Sequence, residues 1–147
     1  MDEPKPLGAK IHMTATCIDN FISDYLSKHF NSEMTAMEGM TLKFIYKAGK
    51  PVSARDIMNF TSLSKATTSQ TLSSMVKKGL IVMKEKESDK RAKTIELTSK
   101  GHATIDEFCS YFEDITRICE EGFTPEERTQ LTYLLEKMRN NVSIERK

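Results

Sequence analysis

Residues 64–98 leave the fold little freedom. Ser64 is a good helix N-cap. Behind it Thr68, Leu72, Met75 and Gly79 fall at i, i+4, i+7 and i+11, which places them on one side of a helix running to Lys78. Gly79 follows two lysines and suits the C-terminal stop. Ile81-Val82-Met83 and Thr94-Ile95-Glu96-Leu97 are the only strand-like segments. Their connection, Glu87-Ser88-Asp89-Lys90-Arg91-Ala92, is polar and turn-rich. Just upstream, Ser53 to Asn59 forms a short helix whose start, Ser53-Ala54-Arg55-Asp56, has a loose capping-box form. Phe60-Thr61-Ser62-Leu63 then turns into helix 64–78. The pattern is a helix-turn-helix followed by a two-stranded wing.

The rest of the chain reads as helix. Thr35-Ala36-Met37-Glu38 and Thr124-Pro125-Glu126-Glu127 are capping boxes, the second with Pro at the first helical position. Apolar stripes recur at helical spacing in Ile18/Phe21/Ile22/Tyr25/Leu26, in Ile105/Phe108/Phe112/Ile115/Cys119 and in Leu131/Leu134/Leu135/Met138. The expected order is four helices, strand, charged turn, strand, long helix, helix: a mostly α fold with a small β-hairpin wing. A length of 147 residues favours one domain. Residues 1–10, polar with Pro and Gly, are expected to form a mobile leader ahead of a single domain over 11–147.

Charge is uneven along the chain. Residues 41–100 carry 13 Lys/Arg against 5 Asp/Glu, a net +8, whereas the remainder carries 9 against 16, a net −7. The middle of the chain therefore suits an anionic partner. No apolar run approaches the ~18 residues that span a bilayer. The N-terminus lacks the apolar core of an export signal, so a cytoplasmic protein with no membrane partner is expected. Cys17, Cys109 and Cys119 are odd in number and far apart, which fits free thiols in a reducing compartment. All three lie in apolar stripes or beside one and are expected to be packing residues. His12, His29 and His102 lack zinc-ligand spacing. No acid/base set, nucleophile triad or phosphate loop is visible, so neither an enzyme nor a bound cofactor is implied.

Helix 64–78 offers Lys65, Thr67, Ser69, Gln70, Ser73, Ser74 and Lys77 on the side opposite its apolar positions, and no acid between Lys65 and Lys78. Short hydroxyls let such a helix approach a groove floor. Gln70 can pair with adenine, and Lys65 can reach guanine or phosphate. Seven Ser/Thr between 64 and 78 are mediocre helix formers, which asks for a reason other than propensity. Lys84, Lys86, Lys90, Arg91 and Lys93 decorate the hairpin. Asp89 stands two residues from Arg91 and could orient its guanidinium toward a minor groove. The candidate DNA-contacting set is Ser64, Lys65, Thr67, Ser69, Gln70, Ser74, Lys77, Lys86, Asp89, Lys90 and Arg91.

The string Leu63-Ser64-Lys65-Ala66-Thr67-Thr68-Ser69, then Met75-Val76-Lys77-Lys78-Gly79-Leu80-Ile81, Asp89-Lys90-Arg91 and Leu97-Thr98-Ser99-Lys100-Gly101, resembles the MarR family of winged-helix regulators. Met34-Thr35 to Gly49 and Phe123-Thr124-Pro125-Glu126-Glu127-Arg128 extend the likeness to about residues 12–142. The resemblance implies a winged lobe over about 35–100 and dimerisation helices over about 11–31 and 99–142. It also implies a homodimer on a palindromic operator in double-stranded DNA, repression of transcription, and release by a small-molecule effector or stress signal. In some relatives a thiol in the first helix senses oxidants, which draws notice to Cys17. Two departures stand out: Thr68 and Met75 replace branched apolar residues, and Gln70 stands where the family often has Arg. Phe21, Tyr25, Phe44, Met58, Phe60, Phe108 and Phe112 either line a cleft or pack as core. The alternative function is a winged-helix protein-interaction module without specific DNA binding, which would need an exposed apolar patch on helix 64–78.

Overall fold

The computed structural model describes residues 5–30 and 34–145. Among them run α1 (Leu7–His29), α2 (Ala36–Ala48), α3 (Ala54–Thr61), α4 (Lys65–Lys77), β1 (Ile81–Lys86), β2 (Asp89–Leu97), α5 (Ser99–Cys119) and α6 (Pro125–Glu145). The order is the expected one, mostly helical with one hairpin.

Local chemistry sets the helix starts. At α2 the Thr35 hydroxyl accepts the Glu38 N–H at 3.2 Å, and the Glu38 carboxylate accepts the Thr35 N–H at 2.9 Å. Ser53 and Asp56 close the same box at α3, at 3.1 and 2.8 Å. Thr124 and Glu127 close it at α6, at 3.2 and 2.9 Å. Ser64 accepts the Thr67 N–H at 3.1 Å to open α4. Each cap supplies partners for N–H groups that have none inside the helix, worth about 1 kcal/mol. At its other end α1 begins earlier than expected. Leu7–Lys10, inside the stretch read as a leader, are helical. Pro6 caps them, its ring holding φ at −52° and its carbonyl accepting the Lys10 N–H at 3.1 Å. Residues 1–4 lie outside the described residues.

The hairpin is longer than its apolar ends suggest. β1 and β2 pair antiparallel from Ile81↔Leu97 to Glu85↔Lys93, then slip to Lys86↔Asp89. The backbone ladder continues through the charged residues because neither face there needs burial, so the turn shrinks to Glu87-Ser88. Lys90, Arg91 and Ala92 fall in the slip and form a bulge. Val52 adds one further bridge: its N–H donates to the Ile95 carbonyl at 3.1 Å and its carbonyl accepts from Ile95 at 2.8 Å. A single residue after Pro51 carries no periodic signal, and the sequence does not show it.

The chain divides into two compact units, Met1–Ile115 and Thr116–Lys147. The first holds the core, with Leu42, Ile57, Met75, Ile95, Ile105 and Phe108 essentially closed to solvent. Gly39 of α2 lies so close to the Phe108 ring that a Cβ would overlap it, and a Cβ at Gly101 would overlap the Leu80 carbonyl. Both glycines therefore allow backbones to approach more closely than a side chain permits. The first stripe is only partly covered: Leu26 is buried, Phe21, Ile22 and Tyr25 are half-buried, and Ile18 is exposed. In the second unit Arg128 pairs with Glu120 at 3.0 Å. None of α6 is buried, so Leu131, Leu134 and Leu135 stand exposed.

The expectation of packed cysteines needs correction. Cys17 and Cys119 are exposed and Cys109 is half-buried. Cys17 fails because residues 7–20 of α1 are all exposed among the described residues, so proximity to an apolar stripe does not mean burial. The Cys119 thiol is pushed up by partial burial and by the adjacent Glu120 carboxylate.

Candidate nucleic-acid interface

The turn between α3 and α4 pivots on Ser62, whose φ of 59° is the left-handed conformation that ends α3. α4 then buries Thr68, Leu72 and Met75, the side that the spacing selects. Lys65, Thr67, Ser69, Gln70, Ser73 and Lys77 are exposed together on the other side, with no carboxylate among them. Ser64 is also exposed, but its hydroxyl is engaged twice. It accepts the Thr67 N–H and donates to the Thr67 hydroxyl at 2.9 Å. Ser74 departs from the expected arrangement. It is half-buried, and its hydroxyl donates to Glu38 Oε1 at 2.6 Å.

Glu38 is the acceptor the sequence reading does not anticipate beyond its cap. Only 3% of it is exposed. Its Oε2 takes both the Thr35 N–H and Lys78 Nζ, the latter at 2.7 Å. Burial pushes this carboxyl up. Hydrogen bonds from Lys78, Ser74 and Thr35, with the Lys78 charge, outweigh that and hold it below the ordinary carboxylate range. One side chain thus opens α2 and grips the last turn of α4.

The end of α4 is tied on its other side to the wing. Thr98 donates its hydroxyl to the Gly79 carbonyl at 2.6 Å and its N–H to the Leu80 carbonyl at 3.1 Å. Lys100 Nζ donates to the Lys78 carbonyl at 2.7 Å, and the Thr98 hydroxyl accepts the Gly101 N–H at 2.9 Å. The first three bonds satisfy the Lys78, Gly79 and Leu80 carbonyls just past the end of α4, and the fourth gives a partner to an open N–H in the first turn of α5. The Leu97-Thr98-Ser99-Lys100-Gly101 string is therefore a joint between helix, wing and α5.

At the wing tip Lys86, Asp89, Lys90 and Arg91 are all exposed. Asp89 Oδ1 accepts the backbone N–H of Arg91 at 2.9 Å. The expected contact was to the guanidinium. The two-residue separation instead suits an Asx turn, in which the carboxylate reaches the nearer backbone donor. Asp89 thus shapes the bulge that carries Arg91. Lys84 is spent on Glu96 at 2.7 Å.

The other candidates do not converge. Phe44 stacks on Phe60 with centroids 4.6 Å apart, and Phe21 meets Tyr25 while Phe108 meets Phe112. A cleft of about 260 Å³ in the lobe is lined by other residues, among them Tyr46, Lys50, Leu97 and His102. No group of three or more His, Cys, Asp or Glu side chains that could hold a metal ion occurs among the described residues. None of the described helices is long and apolar enough to cross a membrane.

Residues 34–101 match the family described as winged helix DNA-binding domain, the stretch from the end of the α1–α2 connection to the Thr98 joint. The lobe is thus a winged-helix domain. The whole chain is also similar to solved regulators. It is 25% identical to a mutant MarR from E. coli solved with operator DNA, over 90% of this chain and 93% of that one, with a TM-score of 0.78. It has the fold of BpsR from Bordetella bronchiseptica, whose DNA binding is regulated by 6-hydroxynicotinic acid (22% identity, 95% and 96% covered, TM-score 0.80). It shares that fold with S. aureus MepR, solved bound to DNA (22%, 94% and 98%, TM-score 0.80). Residues 34–101 thus form a winged-helix DNA-binding domain, and most of the chain's length is similar to solved MarR regulators.

Proposed function

We propose that this protein is a cytoplasmic, homodimeric, sequence-specific DNA-binding regulator of transcription, a repressor of the MarR type whose hold on DNA yields to a small effector. It acts by binding, with no catalytic step. The observation that carries this reading is the single lobe on which α4 presents an acid-free face of lysines, hydroxyls and Gln70 beside a bulged basic wing tip. α4 enters a major groove, where Gln70, Thr67, Ser69 and Lys65 meet base edges. Lys77, Lys86 and Lys90 neutralise phosphate, and Arg91, held out by the Asp89 turn, reaches the minor groove. Ser64 serves as cap, and Ser74 acts from behind the face through Glu38. The exposed Leu131, Leu134 and Leu135 of α6 support a second copy as the partner that covers them. A two-fold dimer implies half-sites about one helical turn apart, ~10 bp.

Selection of bound duplexes from a random pool, followed by a salt series on the winner, tests the reading. An enriched palindrome with a steep salt slope is the expected result. A flat pool bound without sequence preference would overturn it in favour of an interaction module.

A further inference from the structure

Two capping boxes in this lobe are built with different acids. α3 closes its box with Asp56, which is exposed and, among the described residues, bonds within its own turn, to Ser53 N–H and Ser53 Oγ at 2.8 Å. α2 closes its box with Glu38, one methylene longer. That extra reach carries the carboxylate past its own cap to Ser74 and Lys78, residues 36 and 40 positions away in the chain. Among the described residues Glu38 is the only charged side chain that is buried. A buried charge is costly unless it is paired and hydrogen-bonded, and Glu38 is both. The three bonds arrive from two helices, so they are met together only when α2 and α4 hold one relative placement. Ser74 lies on the same helix as Gln70 and one turn beyond it.

From this we infer that Glu38 is a positioning residue for DNA reading. Its carboxylate clamps the last turn of α4 to the start of α2 and sets the angle at which Gln70 and its neighbours are presented. It touches no DNA itself. The inference rests on the DNA-binding reading above, and it goes further by assigning part of sequence discrimination to a residue outside the interface. Non-specific binding needs only the lysines and Arg91 near phosphate, which tolerate a shift of the helix. Base-edge bonds are directional and do not tolerate it. Loss of the clamp should therefore separate two quantities that a general loss of folding would lower together.

The decisive variant is Glu38→Asp in the full-length protein. An aspartate at this position keeps the cap, as Asp56 does in α3, but falls short of Ser74 and Lys78. Ser74→Ala removes one arm of the clamp from the α4 side and leaves the buried carboxylate and its cap in place. Affinities are measured for the selected operator and for a scrambled duplex of equal length, with folding checked by thermal melting. The expected result for Glu38→Asp is about a tenfold fall in the operator-to-scrambled ratio, equivalent to ~1.4 kcal/mol, with scrambled-duplex affinity nearly unchanged. Ser74→Ala should lower the ratio in the same direction by a smaller factor. An equal fall on both duplexes, or an unchanged ratio in both variants, overturns the positioning role. If the natural protein selects no operator, the DNA-binding reading fails instead. Amide exchange then decides the clamp alone: faster exchange confined to the last turn of α4 in both variants supports it, and unchanged exchange overturns it.

Discussion

α4 and α6 carry the same apolar rhythm and differ in what covers it. In α4, Thr68, Leu72 and Met75 are closed over by α2, α3 and the hairpin. In α6, Leu131, Leu135 and Met138 repeat the i, i+4, i+7 spacing with Leu134 beside them, yet none is buried and Leu134 is 49% exposed. Helical spacing states that a face needs cover, and it does not say which chain supplies it. The α4 stripe is covered by elements its own chain places within the lobe. The α6 stripe has no such cover among the described residues, and the second copy proposed above would supply it.

The sharpest way to break that contrast is to charge the α6 stripe. Leu134→Glu should cost the assembly ~3–5 kcal/mol per buried uncompensated charge and leave the winged lobe folded. Sedimentation should show monomer in place of dimer, and a dimer that persists would mean α6 is not the contact. Leu72→Ala attacks the other half of the contrast. It should lower lobe stability by about 2–5 kcal/mol in denaturant titration, because the cavity forms inside a closed core. A loss as small as that from Leu134→Ala would show that the two stripes are equivalent after all.

Smaller effects sharpen the division within the lobe between reading and holding. Gln70→Ala should remove ~1–3 kcal/mol of discrimination at one base position and relax the selected consensus. Arg91→Ala should weaken binding to every duplex and flatten the salt slope by about one unit. If Gln70→Ala changes neither affinity nor consensus, its assignment falls.

Glu38 adds a dependence on pH. Its folded carboxyl lies below its unfolded value, so its contribution to stability is present above the ordinary carboxylate range and fades as pH falls through the folded value. Natural protein and Glu38→Gln should therefore differ in denaturation midpoint at neutral pH and converge in acid. The smallest expected change concerns Thr68, 2% exposed, whose hydroxyl has no hydrogen-bond partner among the described residues. Thr68→Val keeps the shape, removes the unmet hydroxyl and should raise the melting temperature by the equivalent of ~1 kcal/mol.

What could be read from the residues alone is what a few neighbouring residues decide. Thr35/Glu38, Ser53/Asp56 and Thr124/Glu127 each close a cap across three positions, and Gly79 turns the chain at a φ of 71°, which glycine takes at least steric cost. The buried side of α4 and the basic wing follow from spacing and from charge counted along the chain. Only the tertiary structure could show that Ser74 points inward, that Glu38 serves two helices, and that Val52 extends the hairpin by one bridge. Each of these is settled when distant segments meet. Such a meeting leaves no period in the sequence, because its geometry depends on how the intervening 36 to 43 residues close on themselves. Cys17 marks the same limit from the other side, since burial belongs to the surroundings of a stripe and not to the stripe.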